Sequence, residues 1–190
     1  MSKNLFDTIM VMLTPEQEAR LSRFRDDDAV EVFSFKPQSL ETFEKIKATI
    51  KKLLGEVTVV ELRGSTGLGI SGKGELDVYI SVTEQSFDLT TSRIEELFGK
   101  PKSLYSLDRA RFITSLDGIE IEIFVVSNTG KSWTRSTIFE EHLKANQEDL
   151  NSYEKLKWQT AGLSTRAYYK AKEEFIGNIL NKIDEQESSK

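Results

Sequence analysis

The chain has no cysteine and one histidine, His142, among 190 residues. Disulfides and thiolate metal sites are therefore excluded, and so is a cluster of histidines around zinc. Any metal would have to be held by oxygen ligands, a donor set that suits Mg²⁺ or Mn²⁺. Positive charge is also short: 26 Lys and Arg stand against 31 Asp and Glu, a net charge of -5. A protein that coats long nucleic acid needs a broad basic face, so that class of partner is not expected. Long apolar runs are missing too. The stretch "MSKNLFDTIMVML" is interrupted by Asp7 and carries no small-residue cleavage site, so it reads as neither a signal peptide nor a membrane span. A cytoplasmic protein without a membrane partner is the default expectation.

What is present is an ordinary globular balance, 38% hydrophobic and 30% charged, in a length sufficient for one domain with a core and an appendage. Thr14-Pro15-Glu16 opens a short helix to about Arg25, so residues 1–29 read as an N-terminal helical extension. "VEVFSF" (30–35) alternates like a strand. "SLETFEKIKATIKKLLG" follows as a helix with Leu40, Phe43, Ile46, Ile50, Leu53 and Leu54 on one face and Gly55 as its stop. Strands are expected at 56–64, at 75–82, within 102–116 and at 119–126, with a hairpin turn at Asp117-Gly118 and a helix at 90–100. From Ile138 the pattern is helical, over 138–161 and 165–184 with a break at Gly162, before a polar tail at 185–190. The order predicts an α/β fold: a mixed β-sheet packed with helices, and a helical C-terminal cap.

The chemistry concentrates in "VVELRGSTGLGISGKGELDVYISV", residues 59–82, which holds five of the eleven glycines. Side chains alternate along a strand, so Glu75 and Asp77 share one face. On "IEIEIFVV" the isoleucines take one face, while Glu120, Glu122 and Phe124 take the other. Carboxylates gathered on one face repel unless a cation lies among them, and convergent acids can hold the divalent ions that accompany a triphosphate. Gly64-Ser65, just past a strand end, offers backbone N–H groups and a hydroxyl to phosphate oxygens, and Lys73 adds a point charge.

Gly-Ser followed after ten residues by an acid-x-acid strand resembles the signature of the polymerase-β-type nucleotidyltransferase superfamily. A fuller resemblance, over roughly residues 30–184, is to the GrpB family. It rests on "ELRGST…GK…LDVYI", on Phe139, Leu143, Tyr153, Leu156 and Lys157, and on Tyr168 or Tyr169, Lys172, Phe175 and Ile176. That resemblance implies the nucleotidyltransferase fold, with Gly64, Ser65, Thr66 and Lys73 expected to bind nucleotide. The polymerase-β-type signature makes Glu75, Asp77 and Glu122 the expected catalytic, metal-binding carboxylates, and the family alignment favours Glu122 over Glu120 as the third. The sequence departs from the family pattern in three places. "GLGISG" replaces Val-Pro-Gly-Leu, Glu75 stands at a usually apolar position, and "EIF" replaces His-x-His.

Two functions follow as expectations. One is a metal-dependent nucleotidyltransferase, using Mg²⁺ or Mn²⁺ to move a nucleoside monophosphate from an NTP, ATP first, to a small-molecule or protein acceptor. The other is a non-catalytic domain of the same fold that binds a nucleotide or CoA-like ligand, or a protein. Arg63, Arg109 and Arg111 are candidate partners for phosphate. Blander readings stand beside these: the glycine loop as a plain strand connection, the acids as a solvated strand face, the three arginines as surface ion-pair partners, and the C-terminal aromatics as core.

Overall fold

The computed structural model describes residues 13–188. The apolar run before Leu13 lies outside them, as do the last residues of the polar tail. The described chain forms two compact units, one spanning Val32–Asn146, the other combining the residues up to Glu31 with those from Gln147.

The larger unit is built on a five-stranded sheet in the order β1-β2-β5-β4-β3. Its strands are β1 (Val60–Arg63), β2 (Leu76–Val82), β3 (Ser103–Tyr105), β4 (Arg109–Leu116) and β5 (Ile119–Ser127). The central pair, β2 and β5, is parallel, with Leu76, Asp77 and Val78 opposite Ile121, Glu122 and Ile123. The β1–β2, β3–β4 and β4–β5 pairs are antiparallel. Asp117 and Gly118 both take positive φ (53° and 77°), as the tight turn between β4 and β5 requires. Asp117 also accepts hydrogen bonds from Thr42 Oγ1 and Lys45 Nζ, which ties the turn to the neighbouring helix.

One sheet face is dry. Leu76, Val78, Ile80, Ile121, Ile123 and Val125 are fully buried there. They form one core with Phe43, Ile46 and Ile50 of α2 (Ser39–Leu54) and Phe87 and Ile94 of α4 (Glu84–Phe98). Each such side chain contributes about 1.5–3 kcal/mol through burial. Because that face is apolar at every second residue, the alternating acids and arginines are forced onto the other face.

Several predicted boundaries move. "VEVFSF" makes no sheet strand; it forms a single bridge, Phe33 to Gly72, because its partner is the irregular glycine loop rather than a strand edge. The strand expected at 56–64 starts at Val60, and Val57 is 95% exposed. The helix expected at 90–100 begins at Glu84, after Thr83 in extended conformation. The region 102–116 holds two strands, β3 and β4. The helix expected at 138–161 is two helices, α5 (Lys131–Ala145) and α6 (Gln147–Gln159), broken at Asn146. Gly64–Gly67 closes into one short helical turn, α3.

The second unit holds α1 (Pro15–Leu21), α6 and α7 (Thr165–Ser188). Thr14 and Gln17 form a reciprocal capping box on α1. Gln17 and Arg20 both reach Glu173 on α7, and Phe24 stacks on Tyr169 at 4.7 Å. Asp28 caps α7 from a distance, accepting from the Thr165 N–H (2.8 Å) and hydroxyl (2.6 Å), and these bonds hold its carboxyl below the usual range. The Tyr153 ring stacks on Phe175, and buried Lys157 lies over the Tyr153 ring.

Candidate functional site

The polar face of the sheet assembles from the strand register. Arg63 of β1 pairs with Asp77 of β2, Asp77 with Glu122 of β5, and Glu122 with Ile113 of β4. The next row along the face carries Tyr79, Phe124 and Arg111. Asp77 and Glu122 are thus direct neighbours on parallel strands, on the same side of the sheet.

The glycine turn closes over Asp77. Gly64 has φ +65°, and a Cβ added to it would lie 2.0 Å from Asp77 Oδ2. Only glycine lets the backbone take that conformation and approach the carboxylate so closely. Ser65 is packed in the same manner, since a Cβ on Gly72 would meet its Cβ at 2.5 Å. The Thr66 hydroxyl donates to the Glu75 carbonyl (3.2 Å), and Lys73 forms an ion pair with the Glu75 carboxylate (2.9 Å). The turn, Lys73, Glu75, Asp77 and Glu122 are therefore brought to one region.

Two features of this region were not in the sequence reading. The Gly64 N–H, assigned there to a phosphate, donates to Glu140 Oε1 (3.0 Å). The other oxygen of Glu140 accepts from Arg63 Nε (3.0 Å), and Arg63 Nη1 donates to Thr137 Oγ1 (3.0 Å). This ion pair is buried, with 4% of the Arg63 side chain and 12% of the Glu140 side chain exposed. Glu140 escaped notice because it is one of two adjacent glutamates on a helix, 77 residues from Arg63, and nothing local distinguishes it. The second feature is a row of rings and guanidinium groups. Arg63 lies against both Trp133 (4.5 Å) and Tyr79 (5.2 Å), whose rings are 6.3 Å apart, Tyr79 stacks on Phe124 (4.6 Å), and Arg109 lies 6.0 Å from Phe124 and 5.3 Å from Tyr105.

The oxygen donors of Glu75, Asp77 and Glu122 are chemically suited to Mg²⁺ or Mn²⁺. Their placement is not. Glu75 is drawn to Lys73, and Glu122 accepts from Arg111 Nη1 (2.9 Å). Among the described residues, no group of three or more acids stands where it could hold a metal ion. As arranged, the site does not fit a resident metal. What it offers is carboxylates already neutralised by half-buried cations, beside a close-packed glycine turn.

Among the described residues, no helix is long and apolar enough to cross a membrane. Comparison with the curated proteins gives no match. Among solved structures, the chain resembles the crystal structure of the conserved protein GrpB from Enterococcus faecalis. The TM-score is 0.58 at 20% identity, over 82% of this chain and 95% of that one, a likeness of fold. Residues 29–182 match the GrpB protein family. With most of its length matched and the mixed sheet in common, the chain belongs to the GrpB family.

Proposed function

We propose that the protein binds a nucleotide, or another phosphate-bearing small molecule, on the polar face of its sheet without a resident metal. The observation that carries this reading is the pairing of Glu75 with Lys73 and of Glu122 with Arg111, on either side of Asp77. Each pair cancels a carboxylate that would otherwise repel an anion, and each leaves a basic group partly open to solvent. Lys73 and Arg111 are the phosphate-facing cations on this reading, with the Gly64-Ser65-Thr66 turn beside them. The Gly64 N–H reaches a phosphate only when Glu140 gives it up.

A second reading is favoured by one specific observation, the register that sets Asp77 beside Glu122. In it, Mg²⁺ enters with the NTP as part of the substrate. Glu75, Asp77 and Glu122 turn toward it, and a nucleoside monophosphate passes, from ATP first, to a small-molecule or protein acceptor. That reading requires both ion pairs to open when the substrate arrives.

Calorimetric titration of the four NTPs, with and without Mg²⁺, in wild type and Asp77→Asn separates the two. Binding that persists without Mg²⁺ and survives the substitution supports the binding domain. Binding that needs Mg²⁺ and is lost in Asp77→Asn, with pyrophosphate release once an acceptor is supplied, supports the transferase. No binding of any NTP overturns the transferase and the nucleotide form of the first reading, and failure to bind inorganic pyrophosphate as well overturns the first reading altogether.

A further inference from the structure

Three arginines project from the polar face, and two of them are occupied. Arg63 is paired with Glu140, and Arg111 with Glu122. Arg109 differs: its side chain makes no hydrogen bond or ion pair among the described residues, and its Nε is buried without a partner. Two rings hold it, Tyr105 from the neighbouring strand at 5.3 Å and Phe124 at 6.0 Å. A buried polar donor left unmade is costly, and cation–π contact offsets that cost only in part. The contrast with Arg166 is instructive. That side chain also has a buried, unpartnered Nε, but its terminal nitrogens donate to Asp26 and to the Phe24 carbonyl. Among the described residues, no carboxylate performs that service for Arg109.

The strand register fixes where this cation stands. Arg109 lies opposite Val126, which lies opposite Ser81, so it shares the face of Asp77 and Glu122. From Asp77 it is four residues along and two strands across, roughly 16 Å from Cα to Cα at ~3.3 Å per residue and ~4.8 Å per strand. A guanidinium steadied by aromatic rings, with its terminal nitrogens unpaired among the described residues, is suited to the two-point capture of an oxyanion.

We infer that Arg109 is a phosphate-binding residue, the second anion subsite of the polar face, far from the glycine turn. The subsite deepens the reading of that face as a phosphate-binding surface and rests on it for the ligand class. The recognised chemistry is a phosphate oxyanion, whether borne by a nucleotide or free. Tyr105 and Phe124 act as positioning residues that keep the guanidinium in place.

The test follows the Arg109 Nε–H resonance by NMR, identified through its loss in Arg109→Lys. Inorganic pyrophosphate and ATP are titrated separately into the full chain. A saturable shift of this resonance with both supports the subsite, and Arg109→Gln then weakens ATP binding on the order of 10- to 100-fold. A shift with pyrophosphate alone supports the subsite while overturning the nucleotide reading. ATP binding that moves the Gly64 and Ser65 amides but leaves Arg109 still overturns the subsite and leaves that reading standing. If neither ligand moves the resonance, the subsite is overturned.

Discussion

Arg63 and Arg109 stand at opposite ends of one row of rings on one sheet face, and they are held in opposite ways. Arg63 is sealed, with a glutamate, a threonine hydroxyl and two rings around it. Arg109 has the rings without the acid. A buried guanidinium with a matched carboxylate serves the fold, because removing either partner strands the other charge. A half-buried guanidinium without one is, on the inference of a second anion subsite, a donor set kept for a phosphate. The arginine that locks the glycine turn is thus held differently from the one proposed to meet a ligand, although their residue type and strand face are the same.

The sharpest way to break this contrast is Arg63→Gln. It leaves Glu140 buried without its cation and should cost about 3–5 kcal/mol in urea unfolding. A loss below about 1 kcal/mol, the range of an exposed pair, would remove the distinction between the two arginines. Next is Gly64→Ala, expected to cost at least about 1 kcal/mol from the positive φ alone, with the clash against Asp77 added. Adding Asp77→Gly should recover the clash component and leave the φ strain, so the double-mutant cycle is non-additive. Additive losses would mean that the turn does not rest on Asp77.

A smaller effect belongs to pH. The Lys45 ammonium and Thr42 hydroxyl hold the Asp117 carboxyl below its usual range, and the Thr165 bonds do the same for Asp28. The folded state therefore binds these protons less readily than the unfolded one. The stabilisation is complete above the ordinary aspartate pKa and is lost as pH falls through the lowered values. Asp117→Asn should flatten that acid limb while leaving the neutral-pH behaviour of the Arg63 network intact, and added salt should shrink the difference. The smallest effect on stability is Arg109→Gln, expected within about 0.5 kcal/mol of wild type because no ion pair is broken. A large loss would make Arg109 a second structural arginine and dissolve the comparison.

Much of the sheet was legible because its signals are local. Leu76, Val78 and Ile80 alternate with Asp77 and Tyr79, and the isoleucines of β5 alternate with Glu120 and Glu122, so each strand declares its dry and polar sides. The Asp117-Gly118 turn announced the β4–β5 hairpin. Where local signals were ambiguous, tertiary contacts decided. "VEVFSF" alternates as well as any strand, but it met a glycine loop and closed one bridge. The start of α4 at Glu84 was hidden because Phe87, which helps seat it in the core, lies beyond the window that reads as helical.

The sequence by itself determined the family, the mixed sheet, the glycine turn and the alternation that puts Asp77 and Glu122 on the polar side of their own strands. Each of these is written in spacing along a strand or in a contiguous motif. Only the tertiary structure decided which charges meet. Lys73 took Glu75, Arg111 took Glu122, and Glu140 came from a distant helix to take both Arg63 and the Gly64 N–H. Among the described residues, the Arg109 side chain was left with rings and no carboxylate. Period-two alternation assigns a side chain to a face, but it carries no information about which opposite charge a chain folded in three dimensions will bring within reach.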